Sequence, residues 1–528
     1  MKIKWLISVS FLLFPLWNSP VNAEPNLPWL NASLSPAKRT ELLMKEMTLE
    51  EKIGLVTGNQ NDYYGFYNAP IERLGIPALQ MADGPAGVRI ANPDVQAKKS
   101  TALPAPIALA ATWDINAAKI YGDLIGNEAF HTTHNVLLGP GLDIARFPWG
   151  ERNFESFGED PLLQAKIGTA YVKGLQKYPV LITGKHFLLN NQETSRFTLN
   201  SKASERAIHE VYACPFADLI QDTRLSAVMC SYNKVNGTFA CENKSLLSDL
   251  LKKQFEFQGL VMSDYGANHS TSESALAGLD LETPGEPIGH WGDKLLATVK
   301  EGKVSEQRIK NLTHRILLQM FERGLFDHPV QNKQIPAKDH GQIARTLAEE
   351  GMVLLKNNES LLPLDAQKLK SVAVIGPDAD NASAAGGGSS LVNPTYTVSP
   401  LEGIRNLAGN NIVVEYAAGS DPISAGDIFP GPDAVPSSLL KTNGDKIGLS
   451  GEYWTNDDFE GTPTLVRIDR QVNMNLGFYN FEGFNAQSPK LPATPGDFNN
   501  KMSARWTGNL VAPKTILNES RDGEALLK

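Results

Sequence analysis

The chain has 528 residues, 42% of them hydrophobic and 20% charged, with a formal net charge of −9. That length exceeds one ordinary core and implies two or three domains of a soluble globular protein. The acidic balance, without a long run of one sign, argues against nucleic acid, whose phosphates are bound by clustered Lys and Arg.

The first residues have the pattern of an export signal. Lys2 and Lys4 lead an apolar run from Trp5 to Trp17, and Val21-Asn22-Ala23 supplies the small-residue cleavage pattern. The expectation is a signal peptide over 1–23 and a mature chain, periplasmic or extracellular, of charge −11 once the two lysines are gone. The run is short for a membrane span, and no other stretch is apolar enough to be one. Helical signals follow: Pro36 opens an amphipathic segment, and Thr48-Leu49-Glu50-Glu51 has capping-box spacing.

From there to about residue 284, short apolar runs alternate with helical stretches near 114–130, 160–177, 204–222 and 245–256. Met81-Ala82 ends at Asp83, with Gly84-Pro85 turning the chain. Val136-Leu137-Leu138 leads through Gly139 towards Asp143 and Arg146. Leu181-Ile182-Thr183-Gly184 ends at Lys185-His186. Val228-Met229-Cys230 ends at Ser231-Tyr232-Asn233, Leu260-Val261-Met262 at Ser263-Asp264, and Leu279-Asp280-Leu281 at Glu282. Such alternation over about 250 residues predicts a TIM-like (β/α) barrel, whose strand C-termini converge on one mouth. Glu151, Glu155, Glu159 and Asp160 read as a loop surface and a helix start. Helix 305–323 carries Ile309, Leu312, Ile316 and Met320 on one face, and 327–339 reads as a linker.

A second α/β unit begins near 339: a helix over 339–350, a strand at 372–375, a helix at 400–407 and a strand at 412–414. Residues 420–446 are loop-like. From 447 the composition changes, and Gly451-Glu452-Tyr453-Trp454 and Arg505-Trp506 suggest an all-β module.

There are three cysteines. Cys230 and Cys241 flank an Asn236-Gly237 turn signal, so a hairpin or tight loop brings them into bonding range and a disulfide is expected, leaving Cys214 as a buried free thiol. No Cys/His spacing fits a structural zinc site. The stretch Gly386-Gly387-Gly388-Ser389-Ser390 lacks the residues of a phosphate loop or a dinucleotide fingerprint and reads as a flexible loop near a pocket. Lys185-His186 fits a Schiff-base lysine with a proton shuttle, a pair of ligand-binding donors, or a satisfied structural pair. Gathered on one mouth, Asp, Arg, Lys, His and Tyr suit a polyhydroxylated ligand, because each hydroxyl needs a donor and an acceptor.

At these residues the chain resembles family 3 glycoside hydrolases of the β-glucosidase type. The resemblance runs through Met81-Ala82-Asp83-Gly84-Pro85-Ala86-Gly87-Val88-Arg89, Arg152-Asn153-Phe154-Glu155-Ser156-Phe157-Gly158-Glu159-Asp160-Pro161, Lys185-His186-Phe187, Asn190-Asn191-Gln192-Glu193, Ser231-Tyr232-Asn233-Lys234-Val235-Asn236-Gly237 and Val261-Met262-Ser263-Asp264-Tyr265, and continues in Val353-Leu354-Leu355-Lys356-Asn357 and Leu361-Leu362-Pro363-Leu364. It implies a catalytic barrel over 24–330, the first part of an α/β sandwich domain over 331–447, and in 448–528 the first part of a PA14-like β-sandwich insertion. It further implies an exo-acting retaining hydrolase that releases terminal β-D-glucose from glycosides or small oligosaccharides, without a metal or other cofactor. Asp264 matches the nucleophile and Asp83 the carboxylate that holds the outer hydroxyls. Arg89, Arg152, Lys185, His186, Arg196 and Tyr232 match residues lining the sugar subsite. The family's N-acetylglucosaminidases carry a Pro-Gly-His loop after Lys-His, and its absence argues against that activity. Members with an inserted PA14 module carry the acid/base Glu after it, so the expectation is a truncated chain whose acid lies beyond residue 528. A β-xylosidase, or a truncated sugar-binding protein without catalysis, are the alternatives.

Overall fold

The structure is a computed structural model describing residues 27–60, 64, 66–285, 287–382, 384, 386–421, 434–454, 456, 458–473 and 503–511. The expected signal segment and most of the tail lie outside these residues. Among the described residues no helix is long and apolar enough to cross a membrane.

The helices begin where local chemistry starts them. After α1 (Pro36–Glu46), α2 (Leu49–Val56) opens on a complete capping box between Thr48 and Glu51. Asp114 caps α3 (Ile115–His131) and Asp160 caps α4 (Pro161–Leu175) through their carboxylates. Helix α5 is Cys214–Thr223, preceded by a π turn over Ile208–Tyr212, so the continuous helix expected near 204–222 is broken. Ser305 caps α6 (Glu306–Glu322), whose Ile309, Leu312, Ile316 and Met320 are all buried.

These helices surround a six-stranded sheet of β1 (Tyr67–Asn68), β2 (Leu79–Asp83), β3 (Val136–Gly141), β4 (Leu181–Phe187), β5 (Ala227–Cys230) and β6 (Leu260–Ser263), in that order. Strand β1 is antiparallel to β2, and every later pair is parallel. The strands β3 to β6 are buried throughout, which is why they read as continuous apolar runs rather than alternating ones. The sheet curls. Isolated bridges Met262–Leu281, Thr57–Glu282 and Asn59–Tyr67 carry its last strand round to its first. Of the expected staves, the one at 279–281 therefore exists only as isolated bridges. Helices α3 and α4 cross at glycines: a Cβ on Gly122 would sit 1.9 Å from the carbonyl oxygen of Tyr171, so only a bare backbone fits. Buried Tyr171 and Tyr121 donate to the carbonyls of Gly84 and Pro85 at 2.8 and 3.1 Å, pinning the turn after β2.

Helix α7 (Ala337–Glu350) leads to the second unit. Its strands β7 (Ser371–Ile375) and β8 (Val413–Ala417) pair in parallel, joined through α8 (Pro400–Ala408). Apolar side chains on this two-stranded sheet remain open, with Ile375 73% and Val413 60% exposed, and the segment 352–355 is exposed throughout. Parallel sheets are ordinarily covered on both faces. Beyond it, β9 (Leu449–Trp454) pairs antiparallel with β10 (Leu465–Asp469) and β11 (Ser503–Thr507) around buried Tyr453. This three-stranded sheet is β structure of the expected class.

Candidate active site

Because β2 to β6 run parallel, the residues closing them emerge on the same edge of the sheet. Asp83 is the last residue of β2 and is buried. Its Oδ1 accepts from Lys185 Nζ at 3.2 Å, and its Oδ2 accepts from the Tyr64 hydroxyl and from Arg89 Nη1 at 3.4 Å. Burial, followed by the Asp83 charge, pushes the Tyr64 phenol well up, so Tyr64 stays a donor.

Lys185 and His186 are consecutive, yet both belong to this site. The β4–β5 ladder runs regularly to Gly184, then skips to Phe187, and the irregularity breaks the alternation that would otherwise separate them. Lys185 is 2% exposed and His186 4%. His186 Nδ1 and its backbone N–H both face Asp143 Oδ2, at 2.7 and 3.3 Å, while its Nε2 lies 3.5 Å from Asp264 Oδ2. Asp143 therefore fixes the ring that approaches Asp264.

Asp264 follows β6 directly. Its backbone N–H donates to the Cys230 carbonyl at 3.2 Å, and its Oδ1 accepts from the Tyr265 N–H at 2.7 Å. Cys230 is bonded to Cys241, with a Cα separation of 5.3 Å. That cross-link braces the segment carrying buried Tyr232. Burial and then the Asp264 charge push the Tyr232 phenol well up. Cys214 is a free thiol, but half-buried rather than enclosed, because it sits at the start of α5.

The Arg196 guanidinium lies 4.4 Å from the ring centre of Tyr232 and 5.0 Å from that of Phe197. It donates to Glu193 Oε2 at 2.5 Å. Glu193 also faces Arg152 Nη1, at 3.5 Å, and Arg152 forms a two-pronged pair with Glu155, at 3.2 and 2.7 Å. Here the sequence expectation is corrected. Glu155 is not loop surface but 4% exposed, turned inward by its pairing with Arg152. Burial alone would raise its pKa, but the Arg152 and Lys185 charges and the Arg152 hydrogen bonds outweigh it and hold the carboxyl at about 2. Glu151 is exposed and ties down the 193–194 loop, while Asp160 caps α4 as read.

Asp83, Arg89, Lys185, His186, Tyr232, Arg196, Arg152 and Asp264 thus fall into one set of linked polar side chains. Sequence reasoning gave no role to Tyr64, Asp143, Glu193 or Ser389, whose hydroxyl accepts from Arg152. Only the three-residue spacings Arg152–Glu155 and Glu193–Arg196 offered a local signal. Among the described residues no cluster of His, Cys, Asp or Glu is arranged to hold a metal ion.

The curled sheet with polar groups at its strand ends is matched by two models of one family: the glycosyl hydrolase family 3 N terminal domain over 61–318 and the glycosyl hydrolase family 3 C-terminal domain over 352–503. The chain belongs to glycosyl hydrolase family 3. It is 40% identical over 426 residues to a beta-glucosidase of Rhizobium radiobacter, covering 80% of this chain and 49% of that protein. It is 41% identical over 384 residues to beta-glucosidase B of Emericella nidulans, covering 72% and 45%. Among solved structures, DesR, a beta-glucosidase from Streptomyces venezuelae in complex with D-glucose, superposes with a TM-score of 0.69 at 33% identity, over 79% of this chain and 53% of that one. The chain spans about half the length of the curated relatives it matches. The C-terminal-domain model runs to residue 503 and so takes in β9 and β10.

Proposed function

We propose that this protein is a retaining hydrolase of β-glucosides, with Asp264 as nucleophile. The observation that carries the reading is the setting of Asp264. It is a buried carboxylate at a strand end, 3.5 Å from His186 Nε2, beside the Asp83–Lys185 pair. A retaining enzyme needs such a carboxylate beneath the anomeric carbon and an acid about 5–5.5 Å away. Asp83, flanked by Lys185, Arg89 and Tyr64, offers acceptors and donors to the outer hydroxyls of a hexose, which favours glucose over a xylose lacking the exocyclic carbon. Arg152, Arg196, His186 and Tyr232 line the rest of the subsite.

The proton donor is a carboxyl outside the site as described. Those of Asp83, Asp143, Glu155 and Glu193 are engaged by Lys185, Arg89 and Tyr64, by His186, by Arg152, and by Arg152, Arg196 and Asn190. Glu282 has a pKa raised by burial, but its oxygens accept from Asn268, His290 and Trp291. Export follows as a second proposal, supported by the basic, apolar and small-residue pattern of 1–23 and by a disulfide that suits an oxidising compartment.

The test is turnover of an aryl β-glucoside with an activated leaving group, and intact mass after a 2-fluoro-glucoside, on the chain and its Asp264→Ala variant. Covalent labelling lost in the variant supports the reading. A label that persists in Asp264→Ala refutes the nucleophile. An aryl β-xyloside split faster than the glucoside refutes the substrate. Equal rates on activated and natural glucosides would refute the absence of an acid from the described set.

A further inference from the structure

We infer that Asn236-Gly237 is a deamidation site held shut by Asn200, and that this modification falls instead on Asn443-Gly444. Asparagine is a thermolabile side chain, and most of all before glycine, where no Cβ hinders ring closure. The chain presents two such pairs, both exposed. In the reaction the glycine nitrogen forms a bond to the asparagine Cγ and gives up its proton. The Cγ–Nδ2 bond breaks, and the amide nitrogen takes that proton and leaves as ammonia. The succinimide then adds one water at either carbonyl and opens to aspartate or isoaspartate.

Asn236 and Gly237 form the turn of a hairpin in which Lys234–Val235 pairs with Thr238–Phe239. Both have positive φ, 50° and 103°, as a tight hairpin turn requires. Ring closure needs the Gly237 nitrogen placed over the Asn236 Cγ in a near-attack geometry. Three hydrogen bonds commit both groups elsewhere. Asn236 Oδ1 accepts from the Ala203 N–H at 3.1 Å, and its Nδ2 donates to the Ala203 carbonyl at 2.9 Å. The Gly237 N–H donates to Asn200 Oδ1 at 2.8 Å, so the attacking nitrogen keeps its proton and faces another side chain. Asn200 is itself fixed, because Asn200–Ser201 pairs in parallel with Lys234–Val235. Asn443-Gly444 sits in a turn closed by the Thr442 N–H on the Lys446 carbonyl at 2.8 Å, without such a clamp. Among the described residues its side chain is hydrogen-bonded by the Asn509 amide alone, at 3.5 Å, and the Gly444 N–H has no acceptor.

What Asn200 protects is more than a turn. Aspartate at 236 sets a carboxylate against the Ala203 carbonyl, where the amide had donated. Isoaspartate adds a backbone carbon to the turn and undoes the pairing on either side of it. That pairing presents Phe239, whose ring stacks on His269 with 3.9 Å between ring centres, and Lys234, whose Nζ lies 4.7 Å from the centre of the same ring. His269 belongs to the loop that follows Asp264. The hairpin itself begins just after Tyr232 and leads to Cys241, one half of the disulfide. Asn443 lies outside the first unit, and its conversion touches none of these contacts.

The experiment incubates the full chain in mildly alkaline buffer and follows amide loss and isoaspartate at both asparagines by peptide mass spectrometry. It compares wild type, Asn200→Ala and Asn200→Asp, with a melt of each, and wild type in urea. Folded wild type is expected to convert Asn443 about thirtyfold faster than Asn236, the scale of the two further hydrogen bonds. In urea the two rates are expected to meet, because the protection is tertiary. Asn200→Ala is expected to speed Asn236 about fivefold, the scale of one neutral hydrogen bond, with Asn443 and the melting temperature unchanged. Asn200→Asp, which keeps an acceptor, is expected to protect as wild type does. Equal rates in the folded chain, or a difference that survives urea, overturn the inference. So does an Asn236 that Asn200→Ala leaves as slow as before, or one that the aspartate variant speeds as much as alanine does. Faster conversion of both asparagines with a lowered melting temperature means general loosening and overturns the role of Asn200.

Discussion

The charge on Glu155 gives a prediction whose size follows from the structure. Glu155→Gln keeps the shape of the side chain and removes its charge, which mimics permanent protonation. The folded pKa is about 2 against an ordinary 4.5, a depression of about 2.5 pH units. At 1.36 kcal/mol per unit, the ionised carboxylate contributes about 3 kcal/mol to the folded state. The sign follows from the direction. A depressed pKa means that the unfolded chain takes up the proton first as pH falls. The contribution is complete above about pH 4.5 and vanishes as pH approaches 2. Urea unfolding followed by tryptophan fluorescence at pH 7, 5, 4 and 3 reads it directly. The variant should be less stable by about 3 kcal/mol at pH 7 and 5, and the two curves should converge below pH 4. A gap of the same size at every pH would refute the reasoning, because lost packing rather than lost charge would then be the cause. No gap at pH 7 would show that Arg152 gains nothing from Glu155.

Lys185→Met should destabilise the fold by about 3 kcal/mol, since a buried carboxylate then loses its buried partner, and Asp83→Asn in the same chain should recover part of that; chemical denaturation of the two single variants and the double variant measures the coupling. Replacing Cys230 and Cys241 by serine opens a cross-link spanning 11 residues and should cost about 2.8 kcal/mol on the loop-entropy scale, seen as a lowered melting temperature that added reductant reproduces in the wild type. The open faces of the second unit predict dye binding and concentration-dependent association, and charged substitutions at Leu355 and Ile375 should reduce both in light scattering and fluorescence.

Asp83 and Asp264 were legible because each closes an apolar run just before a turn, a purely local pattern, and the parallel sheet then placed them on one edge. Lys185-His186 stood out in the same way, although a regular strand would have sent the pair to opposite faces; only the irregular β4–β5 ladder keeps them together. Cap positions at Thr48, Asp114 and Asp160 and the Cys230–Cys241 pairing span at most eleven residues, and local chemistry decides such short distances. Glu155, Tyr64 and Ser389 were not legible, and Asp143 was read only as lying beyond a strand end, without its pairing to His186. Arg152 meets Ser389 across 237 residues and Lys185 meets Asp83 across 102, and no sequence period connects such positions. Whether a carboxylate belongs to surface or site is fixed by the cation opposite it. Burial costs a lone charge several kcal/mol, and a partner brought in by the fold removes that cost. The sequence by itself determined which residue types stand at the strand ends, while the tertiary structure decided which charges are paired and can therefore be buried.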